Sequence, residues 1–87
     1  MTRPRLVSGA RLRYDGVREE HVMLVPEGVV RLNPTAAEVL ELCDGERSLD
    51  EIVGVISARY DGSDLRDDVQ GLVDGMAQRG LVVDAAE

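Results

Sequence analysis

The chain has 87 residues, a formal net charge of −7, ten basic residues that are all arginine, and neither Phe nor Trp. A chain this short makes one small domain that buries roughly 60–65% of its unfolded surface, with a core drawn from Val, Leu, Ile, Met and Ala. The single cysteine, Cys43, excludes an intramolecular disulfide or a cysteine metal cluster, and no apolar run approaches the roughly 20 residues that span a bilayer.

Charge is unevenly distributed. Residues 1–33 carry six arginines against four acids (net +2), and residues 34–87 carry four against thirteen (net −9). An acidic second half repels phosphate backbones, which makes nucleic acid a poor partner. Met1–Arg5 is not followed by an apolar signal segment, and a soluble cytoplasmic protein is expected.

Residues 1–9, with Pro4 and Gly9 and few apolar groups, are predicted to be a flexible arm, although Leu6-Val7 has the character to dock on a sheet. Arg11-Leu12-Arg13-Tyr14 alternates charged and apolar, as a half-buried strand does. Asp15-Gly16 signals a turn. His21-Val22-Met23-Leu24-Val25 is almost continuously apolar and is predicted as the central strand. Pro26-Glu27-Gly28 makes a tight turn, because Pro presets φ and Gly tolerates a positive one. Val29-Val30-Arg31-Leu32 follows as the third strand of an antiparallel meander.

At Asn33-Pro34 the apolar spacing changes from strand-like to helix-like. Asn33 is a strong helix cap, since its side-chain oxygen can accept from a free amide of the first turn. Pro34 suits the first helical position, where a missing N–H is no loss. The first helix is expected from Pro34 to about Asp44, burying Ala36, Val39, Leu40 and Cys43, with Gly45 as its stop. Ser48-Leu49-Asp50-Glu51 reads as a capping box opening a second helix that buries Leu49, Ile52, Val53, Ile56 and Tyr60. Asp61-Gly62-Ser63 breaks it. A third helix is expected from near Ser63 or Asp64, with Asp64, Asp67 and Asp68 favourable to its dipole. Its apolar stripe comprises Leu65, Val69, Leu72, Val73 and Met76, and Arg79-Gly80 ends it. Leu81-Val82-Val83 either closes the core or adds an edge strand. The expected fold is α+β and winged-helix-like: one domain over residues 1–87, a three-stranded antiparallel sheet followed by a three-helix bundle whose stripes cover one sheet face.

Chemistry-bearing residues do not converge in the sequence. His21 has no second histidine or paired cysteine and reads as a structural or surface residue. Cys43 lies on an apolar stripe and reads as a small buried hydrophobe. The acid pairs on helices are accounted for as caps, dipole partners and solvated faces. No phosphate-cradling Gly loop, Ser/His/Asp set or metal spacing occurs. Gly71 and Gly75, four apart on the third helix, either admit a close backbone or merely weaken the helix. What remains is surface. The third strand is an expected edge with one charge, Arg31, to discourage pairing. An uncovered edge offers unpaired N–H and C=O groups to another strand, and a peptide can add there.

The stretches Pro4-Arg5-Leu6, Arg11–Asp15, Leu24–Gly28, Leu32–Leu40, Leu42–Gly45, Ile52-Val53 with Tyr60, and Arg79-Gly80-Leu81 together resemble the pyrroloquinoline quinone biosynthesis protein D family of peptide chaperones. The Leu32-Asn33-Pro34-Thr35-Ala36 block followed by Cys43-Asp44-Gly45 is the most specific part. The resemblance implies a winged-helix-like domain that binds the leader of a ribosomally made precursor peptide. It implies presentation of that peptide to a radical S-adenosylmethionine enzyme, which cross-links a Glu and a Tyr of the precursor. It implies a peptide added to the third strand, beside the third helix. Carried over, the expected peptide-binding residues are Val29, Val30, Arg31 and Leu32 with one flank of the helix, chosen as Arg66, Val69, Gln70, Val73 and Ala77, because Val73 and Ala77 extend the stripe and Arg66 and Gln70 add polar contacts.

The expectation is therefore a non-enzyme without cofactor or metal. Its partners are a precursor peptide and a radical enzyme, with no nucleic acid and no membrane, as a monomer or weak homodimer. The alternatives are leader recognition in another peptide-modification pathway, a DNA-binding winged helix, and a carrier or enzyme subunit without a peptide ligand. Against DNA stands the third helix, whose Asp64, Asp67, Asp68 and Asp74 outnumber Arg66 and Arg79.

Overall fold

The computed structural model describes residues 1–86. The elements run β1 (Pro4–Leu6), β2 (Arg11–Asp15), β3 (Glu20–Val25), β4 (Gly28–Leu32), α1 (Pro34–Glu41), α2 (Leu49–Arg59), α3 (Arg66–Gln78) and β5 (Val82–Asp84). The fold is α+β. β2, β3 and β4 form an antiparallel sheet in that order, with β3 central and β4 at an edge. The inward side chains, among them Met23 and Leu32, join Ala36, Val39, Leu40, Ile52, Ile56, Val69 and Val73 in one core.

The local signals act as their chemistry dictates. The Asn33 Oδ1 accepts from the Ala36 amide at 2.7 Å, and Pro34 starts α1. Ser48 and Glu51 exchange both bonds of the capping box: the Glu51 amide donates to Ser48 Oγ at 3.1 Å and the Ser48 amide to Glu51 Oε1 at 2.9 Å. His21 packs its ring 4.9 Å from that of Tyr14, its partner across β2 and β3. Cys43 is buried and bonds the Val39 carbonyl; burial, with the charge of Asp44 beside it, pushes the thiol up to about 12, so it packs as a hydrophobe.

Several expectations are corrected. The N-terminal segment, expected as a flexible arm, forms β1 and pairs antiparallel with β5 in a second, two-stranded sheet. The carbonyls of Thr2, Arg3 and Pro4 accept from the amides of Leu49, Ala85 and Gly45, and Pro4 is fully buried. The Asp84 carboxylate takes the amides of Thr2 and Arg3 at 2.8 and 3.0 Å. Gly45 makes room for this: it adopts φ +83, and a Cβ there would stand 3.1 Å from that of Ala85.

α1 ends at Glu41, not near Asp44, because Leu42 and Cys43 tighten into bonds to Val39 and Leu40 three residues back. Tyr60, expected on the buried face of α2, caps that helix and is exposed, with its hydroxyl bonded to Glu38 at 2.6 Å. α3 begins at Arg66 without a side-chain cap; the Asp64 carboxylate meets the Arg66 amide. Its buried residues are Val69, Val73 and Met76, while Leu65 and Leu72 are half-buried. Gly71 and Gly75 face open space.

Candidate functional site

β4 is bonded on one side only. β5, the segment able to cover its other side, is paired with β1 instead. β3 and β4 are joined by two residues, Pro26 and Glu27, with Val25 opposite Gly28. A connection this short makes the closing pair exchange both of its backbone bonds, and bonding then alternates along the ladder. Met23–Val30 and His21–Leu32 are thus the next bonded pairs. The N–H and C=O groups of Val29 and Arg31 point outward, unpaired. The side chains alternate as well: Val30 and Leu32 turn to the core, and Val29 and Arg31 to the opposite face, where Val29 is 61% exposed. No proline or bulge blunts this edge, and its one charge is held loosely, with Arg31 Nε 3.8 Å from Glu20.

Where β4 ends, the chain turns into α1 and a cleft of about 270 Å³ opens. α1 and its cap supply Asn33, Thr35, Ala36 and Val39, α2 supplies Ile56, and Leu65 with Asp68, Val69 and Leu72 of α3 forms the far wall. The floor is apolar; Asn33, Thr35 and Asp68 bring polar groups to the mouth. The near wall is tied down. Thr35 Oγ1 lies 3.2 Å from the Tyr60 hydroxyl, Tyr60 donates to Glu38, and Arg59 stands 3.7 Å from Glu38. These contacts fix the start of α1 to the end of α2.

Of the residues expected from sequence, Val29, Val30, Arg31 and Leu32 form β4, and Val69 reaches the cleft floor. The others are placed elsewhere. Val73 is 0% exposed and belongs to the core. Arg66 turns to α2 and pairs with Asp50 at 2.7 Å. Gln70 bonds Asp74 along its own helix, and Ala77 is half-buried away from the cleft lining. The flank that faces the cleft carries Leu65, Asp68 and Leu72, spaced i, i+3, i+7, which at ~100° per residue share one side of the helix. That spacing was present in the sequence. So was Thr35, in the first turn of α1 two residues after the Asn33 cap, which lines the cleft with it. Among the described residues no group of His, Cys, Asp or Glu is placed to hold a metal ion.

An unpaired strand edge, followed directly by Asn33 at the lining of an apolar cleft, is a geometry that can accept an extended peptide. The comparisons with known proteins place it in a family. Residues 20–82 match the family described as Coenzyme PQQ synthesis protein D (PqqD), and the chain belongs to that family. A curated relative from Methylococcus capsulatus (strain Bath), named PqqA binding protein, is 36% identical over 83% of this chain and 77% of its own. A relative of the same name from Rhodopseudomonas palustris (strain BisB5) is 35% identical over 99% and 86%. A solution NMR structure of the PqqD truncation of Methylobacterium extorquens PqqCD, described as a functional, stand-alone recognition element for ribosomally synthesized and post-translationally modified peptides, superposes with a TM-score of 0.79. It is 35% identical to this chain and covers 92% of it and 87% of its own length.

Proposed function

We propose that this protein binds a PqqA-type precursor peptide as an added strand on β4 in pyrroloquinoline quinone biosynthesis, and presents it to a radical S-adenosylmethionine enzyme. The observation that carries the proposal is the free outward edge of Val29 and Arg31, left open because β5 pairs with β1. Backbone bonds along that edge supply affinity, and an apolar peptide side chain entering the cleft between Ala36, Val39, Leu65 and Leu72 supplies selectivity. The relatives named PqqA binding protein support this ligand. A relative from Methylorubrum extorquens, the bifunctional coenzyme PQQ synthesis protein C/D, 37% identical over 91% of this chain and 22% of its own, supports work beside other proteins of the pathway. The role is binding, not catalysis. Among the described residues no helix is long and apolar enough to cross a membrane.

The test is a titration of isotope-labelled protein with the precursor peptide, followed by backbone amide shifts. Shifts are expected at residues 29–32 and at Thr35, Leu65, Asp68 and Leu72, with micromolar or tighter affinity, roughly −8 kcal/mol. Saturable binding whose shifts avoid both β4 and the cleft would overturn strand addition.

A further inference from the structure

The three-stranded sheet has two faces, and the helices cover one. The other is bare. Its register sets Leu24 beside Val29 and Val22 between Arg13 and Arg31, and a depression there also takes in Arg18, Asp15 and Glu20. Val22 is only 6% exposed, it stands outside the main core, and its cross-strand partners are Arg13 and Arg31. The face therefore has an apolar centre, Val22, Leu24 and Val29, within a ring of Arg13, Arg18 and Arg31. Its two acids are engaged: Asp15 accepts the amides of Val17 and Arg18 in its own turn, and Glu20 leans on Arg31. Arg13 and Arg18 pair with no carboxylate among the described residues. This is a net positive surface on a molecule of net charge −7.

The peptide itself does not account for it. A strand added at β4 lies one strand spacing from Arg31 but three spacings, roughly 14 Å, from Arg13 on β2. An occupant of the whole face must be broad enough to cross three strands. The forked guanidinium groups select carboxylates, and an apolar centre with arginines around it is the make-up of a protein interface.

We propose that the bare face of the sheet is the docking surface for an acidic patch on the enzyme that modifies the bound peptide. This rests on the strand-addition reading above. β4 belongs to both surfaces, so the peptide side chains on its outer side stand at the border of the docked enzyme, which is where an enzyme must find them.

The test compares wild type, Arg13→Glu/Arg18→Glu and Arg13→Lys/Arg18→Lys, each checked for folding by circular dichroism. Binding of the purified radical S-adenosylmethionine enzyme and of the precursor peptide is measured separately. The charge-reversed protein is expected to lose enzyme affinity on the order of tenfold and keep peptide affinity. The lysine variant is expected to retain most of both. Raising salt from about 50 to about 300 mM weakens enzyme binding to wild type. The docking proposal is overturned if the enzyme binds the reversed variant as tightly as wild type, if it binds no form, or if these arginines instead retain duplex DNA while the enzyme ignores them. Failure of wild type to bind the peptide overturns strand addition instead, whatever the enzyme does.

Discussion

Val73 shows how little separates a core residue from a site residue on a helix. It has no exposed surface, while Leu72, one position earlier, lines the cleft. Val73→Asp is expected to unfold the protein, because it buries an unpaired charge. Val73→Ala is expected to cost about 2 kcal/mol through lost contacts and a residual void, read from urea denaturation, with peptide affinity kept in the folded fraction. Leu72→Asp is the complementary probe. It places a charge in the apolar wall, so peptide affinity is expected to fall by ~1–2 kcal/mol while the far-ultraviolet spectrum is unchanged. Gln70→Glu on the opposite flank is expected to leave that affinity alone. A loss with Gln70→Glu and none with Leu72→Asp would assign the other flank of α3 to the peptide.

For an element, the distinction is between bonds that hold β4 in the sheet and bonds it can offer. The Arg31 amide points out of the sheet and the Val30 amide into it. Proline is tolerated on an edge strand when the N–H it removes faces solvent. Arg31→Pro is therefore expected to fold and to lose peptide binding by about 1 kcal/mol or more relative to Arg31→Ala, the value of one hydrogen bond. Val30→Pro removes a ladder bond and is expected to destabilise the sheet. Calorimetric titration and thermal melts of the three variants decide it. Equal affinities for Arg31→Pro and Arg31→Ala would mean that the peptide does not use this amide.

The whole molecule is closed by its two ends. β1 covers β5, whose Val82 is 2% exposed and joins the main core. Deleting residues 1–6 uncovers that apolar surface and orphans the amides of Gly45, Leu49 and Ala85. The expected loss is roughly 3 kcal/mol or more, seen as a lower urea midpoint. Asp84 makes the closure sensitive to acid. Bonds from the Thr2, Arg3 and Ala86 amides hold its carboxyl down to about 2 from an ordinary 3.8. A depressed carboxylate contributes stability in full above its ordinary value and loses it as pH falls toward the folded one. Melting temperatures of wild type are thus expected to decline between about pH 4 and about pH 2, on top of the smaller contributions of Asp44 and Glu51, which backbone bonds also hold below their usual range. Asp84→Asn is expected to melt lower at neutral pH and to lose part of that decline. An unchanged slope would assign the acid sensitivity to other groups.

The sequence alone determined what is local. The Asn33 cap, the Ser48–Glu51 box, the two-residue connection at Pro26-Glu27 and the strand periodicity each act within four or so residues. They set the meander order and the seam between sheet and helices. The tertiary structure decided what depends on distant partners. The pairing of Arg5 with Val83 joins the two ends of the chain, and nothing near Arg5 announces it. The rotation of α3 was equally hidden. Leu65, Val69, Leu72, Val73 and Met76 form an apolar arc wide enough to be buried about more than one centre. Packing against α2, α1 and β5 chose Val69, Val73 and Met76, which turned Leu65, Asp68 and Leu72 to the cleft. Helical periodicity defines a stripe, but its centre is set by the bodies packed against it.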